Sequence, residues 1–432
     1  MVNAGMQAKS RLSISTPWYY GWNILAVTLL LQGVILGLMI YSFTLWIIPF
    51  KEAFGAAQGT ILLAASLSNA CMGVISAFVG RLIDKHSIRL IITTGIIVFG
   101  FGLFLISLCT EIWQVIAIYA TLLPLGGVLA GPLSSQVMMA RWFEKNRGVA
   151  LGLSSIGSSL GGTVLPPIVA MLIITVGWRT AHTILAVGIV ILVLPVIYLI
   201  IRDRAQSDIE PGKSRQVNAD GTEAPLAVFP DWKASQILRS KTLWVLASFI
   251  GPMMLVMTSI QFNIAPISQE VGIDAQHAAF VVSVASFSMI VGKLVFGFLA
   301  DRIEHRYIIW MAVSLMLICL IVLQLASSYW PMLFAVGFLG LASGGMMPVM
   351  GVVVASRFGA ANFGRVNGML APFVTAFAFG PVLIGYLRAG LDSYDPIYVL
   401  LMFVCIPTIV GAFFLGPAVP EQPKERASGD NT

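Results

Sequence analysis

Gly80-Arg81-Leu82-Ile83-Asp84-Lys85-His86-Ser87-Ile88-Arg89 and Gly297-Phe298-Leu299-Ala300-Asp301-Arg302-Ile303-Glu304-His305-Arg306 share the pattern G-x-x-x-D-[KR]-x-x-x-R, the second copy starting 217 residues after the first (297 − 80). That offset is about half of the 432-residue chain. Each copy closes a long apolar run and precedes another. A second pair recurs at comparable places: Arg141-Trp142-Phe143 with Arg147-Gly148, and Arg357-Phe358-Gly359 with Arg365. Two loop motifs at corresponding positions predict two structurally equivalent halves.

The apolar runs around these motifs set the class. With 58% hydrophobic and 10% charged residues, and a mean hydropathy of +0.91, the composition excludes an ordinary soluble protein and predicts an integral membrane protein. A window of about 20 residues, enough to cross roughly 30 Å of hydrocarbon, finds twelve spans. Their limits are 22–48, 59–80, 90–109, 113–140, 149–175, 180–201, 242–266, 278–300, 307–326, 331–356, 366–387 and 396–416. In lipid each span must bond its own backbone groups, so all twelve are expected to be α-helices. The polar stretch 202–241, rich in charge and in Pro, Gly, Ser and Asn, reads as a linker between a half at 1–201 and a half at 242–432 with a short tail. The first span is long and lacks a small-residue cleavage site, so it is expected to remain in the mature protein.

Orientation follows from the basic residues. With a cytoplasmic N-terminus, three of the 25 Lys and Arg lie outside (Lys51, Arg179, Arg388), Lys293 lies within the membrane, and the remaining 21 fall on the cytoplasmic side. The positive-inside rule therefore predicts a multi-pass protein of the cell membrane, inner or plasma, with both termini cytoplasmic. Topology also accounts for the net charge of +6, and no phosphate-binding or base-reading motif suggests nucleic acid. Cys71, Cys109, Cys319 and Cys405 occupy different apolar runs without metal-like or disulfide-like spacing, so they read as small hydrophobes. No cofactor or metal is expected.

The doubled G-x-x-x-D-[KR] loop in a twelve-span chain resembles the signature of the major facilitator superfamily. Three further features resemble the monocarboxylate transporters and the related oxalate:formate antiporter. They are Tyr20-Gly21-Trp22 opening the first span, Arg141-Trp142-Phe143 through Arg147-Gly148-Val149-Ala150-Leu151-Gly152 to Gly157 and Gly161, and Asn263-Ile264-Ala265-Pro266 with Glu270 and Gly272, followed by Gly292-Lys293. The resemblance implies an alternating-access carrier, functional as a monomer, whose site lies between the halves near mid-membrane.

Some physical roles follow from the residues alone. Asp84 should face Arg357 and Arg365 of the other half, and Asp301 should face Arg141 and Arg147. A carboxylate opposite an arginine and a helix N-terminus is stabilised only while that side is closed, so these residues are candidate gates. The alternative is that loop charges merely orient helices. Gly152, Gly157, Ser158 and Gly161 in the fifth span allow the close approach that rocking halves need. Pro166-Pro167 and Gly380-Pro381 are expected to break the fifth and eleventh helices.

Lys293 is the leading candidate for the site. It stands alone in the uncharged run 278–300, eight residues before Asp301, which is about 12 Å along a helix. At that depth snorkelling is strained, leaving an anion-binding cation in a water-filled cavity or a structural lysine bonded to carbonyls. The resemblance implies that this position pairs with a substrate carboxylate. Lysine is a point charge without the arginine fork, so carboxylate geometry is read less strictly. The second basic residue of the oxalate carrier falls on Val374, and its aromatic cage falls on Ser343, Met347 and Ala371, with Tyr41 alone matching. One fixed cation argues for a monoanion, and the more open pocket suits a bulkier one. Asn69, Ser135, Gln136, Asn263 and Ser343 are neutral polar candidates at membrane depth, each equally able to join helices.

No Asp or Glu lies in any of the twelve spans, so a carboxylate proton relay inside the membrane is excluded. Lys293 is then itself a candidate proton site, with Glu270, Asp274 and His277 as relays at the outer mouth and anion exchange as the form without a proton. A cation exporter would call for an intramembrane carboxylate, and this chain has a cation. An enzyme would need a catalytic constellation, which His86, His182, His277 and His305 do not form. The expectation is a carrier of small, lactate- or pyruvate-like monocarboxylates, working with protons in a lipid bilayer; the alternative is an organic-anion exchanger or an exporter of a larger solute.

Overall fold

A computed structural model describes residues 18–143, 147–202, 232–300, 302–359, 362–391 and 393–416. Asp301, residues 203–231 of the expected linker and the side chains of Asp84, Arg147 and Ala371 lie outside the described residues. The described chain is helical, as backbone satisfaction in hydrocarbon requires. In chain order the long elements are α1 (Gly21–Leu36, a π-turn Gly37–Tyr41, then Phe43–Phe54), α2 (Gln58–Lys85), α3 (Ile88–Ser107) and α4 (Ile112–Ala120, Leu122–Ala130, Pro132–Trp142). The segment Arg147–Ile200 holds two antiparallel helices, α5 and α6, parted at Gly177, where φ 76° and ψ 161° suit a residue without a side chain. Then come α7 (Lys241–Glu270), α8 (Ala275–Ala300), α9 (His305–Leu325), α10 (Tyr329–Phe358), α11 (Phe363–Phe377, Gly380–Ala389) and α12 (Asp395–Val404, Ile406–Phe413). Ten stretches are long and apolar enough to cross a bilayer. One of the ten is the α5–α6 pair, and the broken α11 completes twelve.

Helix continuity matches the sequence reading at some places and departs from it at others. α5 runs through Pro166 and Pro167 without a break, since the two lost backbone bonds are tolerated when neighbouring helices hold both sides. α11 does break ahead of Gly380-Pro381, as expected. The interruption of α4 at Gly131 falls on the same Gly-Pro dipeptide, Gly131-Pro132, which the sequence reading passed over, while those at Thr121 in α4 and at the π-turn in α1 carry no comparable signal.

Buried apolar side chains gather in two clusters. One runs over residues 20–201 with Phe262, Ala265, Ala278 and Ala279 added; the other runs over 232–415 with Tyr41 added. Those few borrowed residues mark where the two bodies meet. Within each body, small residues let backbones touch. A β-carbon on Gly161 would sit 1.9 Å from Gly33 O, and one on Gly157 2.4 Å from Leu29 O, joining α5 to α1. Likewise, Gly340 lies against Ala285 O (2.1 Å) and Gly344 against Met289 O (2.4 Å), joining α10 to α8. The α5 glycines expected to serve rocking halves therefore bind α5 into its own half. Cys109, Cys319 and Cys405 are buried free thiols.

Asp274 starts α8. Its Oδ1 accepts from the backbone N–H groups of Gln276 and His277 at 3.0 Å each, and Oδ2 meets His277 Nδ1 at 2.5 Å. The His277 backbone N–H, followed by its ring, holds the Asp274 carboxyl below the usual aspartate range. A depressed folded value means stability present above the unfolded value and lost as pH falls through the folded one. Asp274→Ala is expected to cost about 1 kcal/mol at neutral pH through lost capping, with the gap to the native protein closing below roughly pH 4; thermal unfolding in detergent across pH checks this.

Candidate functional site

The loop-motif ends of the helices (near Lys85 and Arg302) and their far ends (near Gly55 and Glu270) behave differently at the seam between halves. At the far end the halves are bonded together. Gln58 Nε2 on α2 donates to Asn263 Oδ1 at 2.6 Å and to the Tyr394 hydroxyl at 2.9 Å. The Ala265 backbone N–H donates to Thr44 Oγ1 at 2.9 Å, and Phe43 meets Phe262 edge-on at 5.7 Å. A β-carbon on Gly385 would lie 2.7 Å from Leu62 Cδ1, so α11 presses on α2 there.

Toward the motif end the same helix stripes face open space. Gly73 and Gly80 follow Leu62 by three and five turns on one face of α2, and neither would meet an atom within 4 Å of an added β-carbon. Gly152, seven residues before Ser159 on α5, and Gly297, four after Lys293 on α8, meet nothing either. The two halves thus form a wedge, closed at the far end and open at the motif end.

Lys293 sits in this seam, partly buried. Its Nζ reaches from α8 across to α5, donating to Ser155 O at 2.7 Å and Ser158 Oγ at 3.3 Å. One turn toward the far end, Met289 Sδ receives the Tyr41 hydroxyl at 3.3 Å. Tyr41 is placed there by the π-turn Gly37–Tyr41, whose closing Ser42 bonds Gly37 O through both backbone N–H (2.9 Å) and Oγ (2.8 Å); such single π-turns recur at functional sites. Gly162 supplies the room: a β-carbon on it would lie 2.5 Å from Ser286 Oγ and 2.6 Å from Tyr41 Cγ.

Of the polar candidates, then, the structure brings Lys293 and Tyr41 together. Asn263 lies instead in the far-end closure, its Nδ2 bonded to Ser259 O at 2.7 Å. Asn69 Nδ2 donates to Ala65 O (3.1 Å) and Ser343 Oγ to Leu339 O (2.7 Å), each within its own helix. Gln136 is exposed beyond the Gly131 break, and Ser135 is buried without a partner. Sequence reading missed Gln58, which sits just outside the second span, and the buried α1–α5 link in which Gln32 Nε2 donates to Ser154 Oγ at 2.7 Å and Ser154 Oγ to Thr28 Oγ1 at 2.9 Å. A glutamine in an apolar span was the available signal for that link.

Among the gating candidates, Arg141 donates to Ile83 O at 3.1 Å. Arg357, buried, reaches Gly416 O at 2.5 Å and Thr242 Oγ1 at 3.4 Å, while Arg365 reaches Trp232 O at 2.8 Å. Each of these bonds stays on its own side of the seam.

The family model of the Major Facilitator Superfamily matches residues 28–264 and again 252–431. The chain belongs to this superfamily. Among its members the chain is 23% identical over 395 residues to the uncharacterized MFS-type transporter YcxA of Bacillus subtilis, covering 89% of this chain and 92% of that one. It is 26% identical over 368 residues to the agnestins efflux protein AgnL12 of Paecilomyces divaricatus (83% and 80% covered). Monocarboxylate transporter 12 of Xenopus laevis is 26% identical over 356 residues (78% and 76% covered). The fold is that of a solved bacterial homologue of the human lysosomal transporter Spinster, in an inward-facing and unoccupied conformation, with a TM-score of 0.66 at 14% identity over 93% of this chain and 97% of that one. This facilitator-superfamily transporter is therefore a multi-pass membrane protein with two pseudo-symmetric halves, resembling the monocarboxylate transporters.

The far-end closure depends on Gln58. Gln58→Leu leaves Asn263 Oδ1 without its cross-seam donor, which should cost the closed state about 1–3 kcal/mol, roughly a five- to hundredfold shift in population. A cysteine at Phe262 in a background lacking the four native cysteines, labelled by a membrane-impermeant maleimide, should react correspondingly faster in the Gln58→Leu protein.

Proposed function

We propose that the protein is a secondary active transporter of small organic monocarboxylates, lactate- or pyruvate-like, coupled to protons and working by alternating access. The observation that carries this reading is the placement of Lys293. It is the one charged residue inside the twelve apolar spans, and its ammonium bridges the two halves at the Ser155 carbonyl and Ser158 hydroxyl. A carboxylate is a stronger partner for an ammonium than either neutral oxygen. An arriving anion therefore draws Lys293 off α5 and changes how the halves are joined.

With both termini cytoplasmic, the motif end is the cytoplasmic side and the described conformation is inward-open. To return outward, the Gln58 bonds break, and Asp84 and Asp301 close against the arginines of the opposite loops. Each state is then held by contacts the other lacks, which lets one site be reached from two sides. Lys293 also serves as the proton site, so that anion and proton enter and leave together with no net charge moved. Glu270, paired with Arg388 at 3.0 Å, is held in a structural ion pair and is less suited to relay protons than the exposed Asp274–His277 pair.

The second reading is an organic-anion exchanger or an exporter of a larger solute on the same fold. It draws on Val374 standing where a second cation would be, and on relatives that include a protein named for efflux.

Purified protein in liposomes, supplied with labelled lactate or pyruvate, is expected to accumulate the acid when an inward proton gradient is imposed, and Lys293→Ala is expected to lose about tenfold or more of that uptake. Unchanged, proton-linked uptake by Lys293→Met would overturn the assignment of Lys293. Uptake that needs an internal counter-anion and ignores the gradient would select the exchanger.

A further inference from the structure

Lys293 has no carboxylate of its own chain to return to. No Asp or Glu lies in any of the twelve spans, so when no anion is bound its partners at membrane depth must be neutral oxygens. Ser155 O accepts from Lys293 Nζ at 2.7 Å and from Ser158 Oγ at 2.8 Å, and Ser158 Oγ itself accepts from Nζ at 3.3 Å, closing a small ring of three bonds. Because Ser158 commits its own proton to Ser155 O, both oxygens face Lys293 as acceptors. The amine therefore finds two partners whether it carries three protons or two.

These two oxygens are held in place from behind. On the other side of the same turn, Gln32 Nε2 on α1 donates to Ser154 O at 2.9 Å and to Ser154 Oγ at 2.7 Å, and Ser154 Oγ donates to Thr28 Oγ1 at 2.9 Å. Gly157 and Gly161 bring α5 onto α1 along the backbone. The rotation of α5 is thus fixed within its own half, with Ser154 turned to α1 and the Ser155 carbonyl and Ser158 hydroxyl turned to Lys293. Seven residues toward the far end on each helix, about 10 Å away, a β-carbon on Gly162 would lie 2.5 Å from Ser286 Oγ, so α5 and α8 are in contact there. A crossing so near that contact moves little when the halves rock, and the four-carbon stem of lysine can follow it.

We infer that Ser158, with the Ser155 carbonyl, is the partner Lys293 keeps while the unloaded protein passes between its inward-open and outward-open states, a positioning residue that serves the empty carrier and not the loaded one. This rests on the reading of Lys293 as the residue an arriving anion engages, and assigns what it holds when none has arrived. While the motif end is open, water can stand in for a lost partner. Midway through the passage, with both ends shut, it cannot, and an ammonium or amine without acceptors in a low-dielectric interior is costly. The clamp lowers that barrier for the empty protein, as a bound carboxylate does for the loaded one.

The test uses full-length Phe262→Cys protein lacking the native cysteines, in lipid nanodiscs free of organic acids, with maleimide in such excess that opening of the far end limits labelling. The empty protein is expected to label to completion. Ser158→Ala is expected to label about fivefold more slowly, and saturating pyruvate to restore the rate, because a carboxylate then takes the place of the clamp. In a Lys293→Met background, with no amine to satisfy, Ser158→Ala should leave the rate unchanged; a purely structural serine would slow both backgrounds alike and overturn the inference. It is overturned as well if Ser158→Ala labels at the native rate, or if the empty protein labels only when an acid is supplied. Pyruvate without effect on the Ser158→Ala protein, with the other results as expected, supports the clamp and overturns the anion reading beneath it.

Discussion

Hydrocarbon offers no hydrogen bonds, so every backbone group inside the bilayer must be paired within its own helix. The rest of this structure depends on that constraint. It makes the spans helices, leaves recognition to side chains between them, and makes any polar atom on a helix face conspicuous. It also explains the glycine contacts: lipid tails are as apolar as leucine, so helices associate by close packing, and Gly161 on Gly33 or Gly340 on Ala285 brings backbones into direct contact.

Those contacts are unevenly distributed, and the unevenness is what allows motion. Inside each half, α5 is bound to α1 and α10 to α8 along their backbones. Between halves, the described contacts at the far end are hydrogen bonds and an aromatic edge centred on Gln58, Thr44 and Phe43, with one close approach of α11 to α2 at Gly385 and Gly59. A neutral hydrogen bond contributes about 1 kcal/mol net, so a handful can be exchanged for a different set at the other end. Rigid halves joined by a weak seam favour rocking over local deformation.

At the narrow part of the wedge, Lys293 contacts the opposite half through a carbonyl and a hydroxyl, partners that a carboxylate outcompetes. The residues left two readings open, a lysine bonded to a carbonyl and an anion site awaiting its ligand. The structure shows the first, and under the proposed function the second is the same residue at another point of the cycle. Ser159 and Ser286, a short way toward the far end, extend the seam's polar character past the cation.

Length, hydropathy and repeats made the helices legible, along with the two-fold plan and the superfamily, because each depends on local composition or on spacing along the chain. Lys293 stood out for the same reason, as a charge where apolar residues prevail, and Tyr41 through the resemblance to the oxalate carrier. What tertiary structure alone decided is which faces meet. Asn263 and Asn69 look alike in sequence, yet one closes the far end with Gln58 and the other bonds its own helix at Ala65 O. Gly157 and Gly161 read as seam residues and turned out to join α5 to α1, since composition marks a helix as closely packed without naming its neighbour. The π-turn that aims Tyr41, the uninterrupted path of α5 through Pro166-Pro167, and the meeting of Tyr41 and Ser286 at Gly162 likewise required the packed helices, because the rotation of each helix about its axis is set by all its neighbours at once.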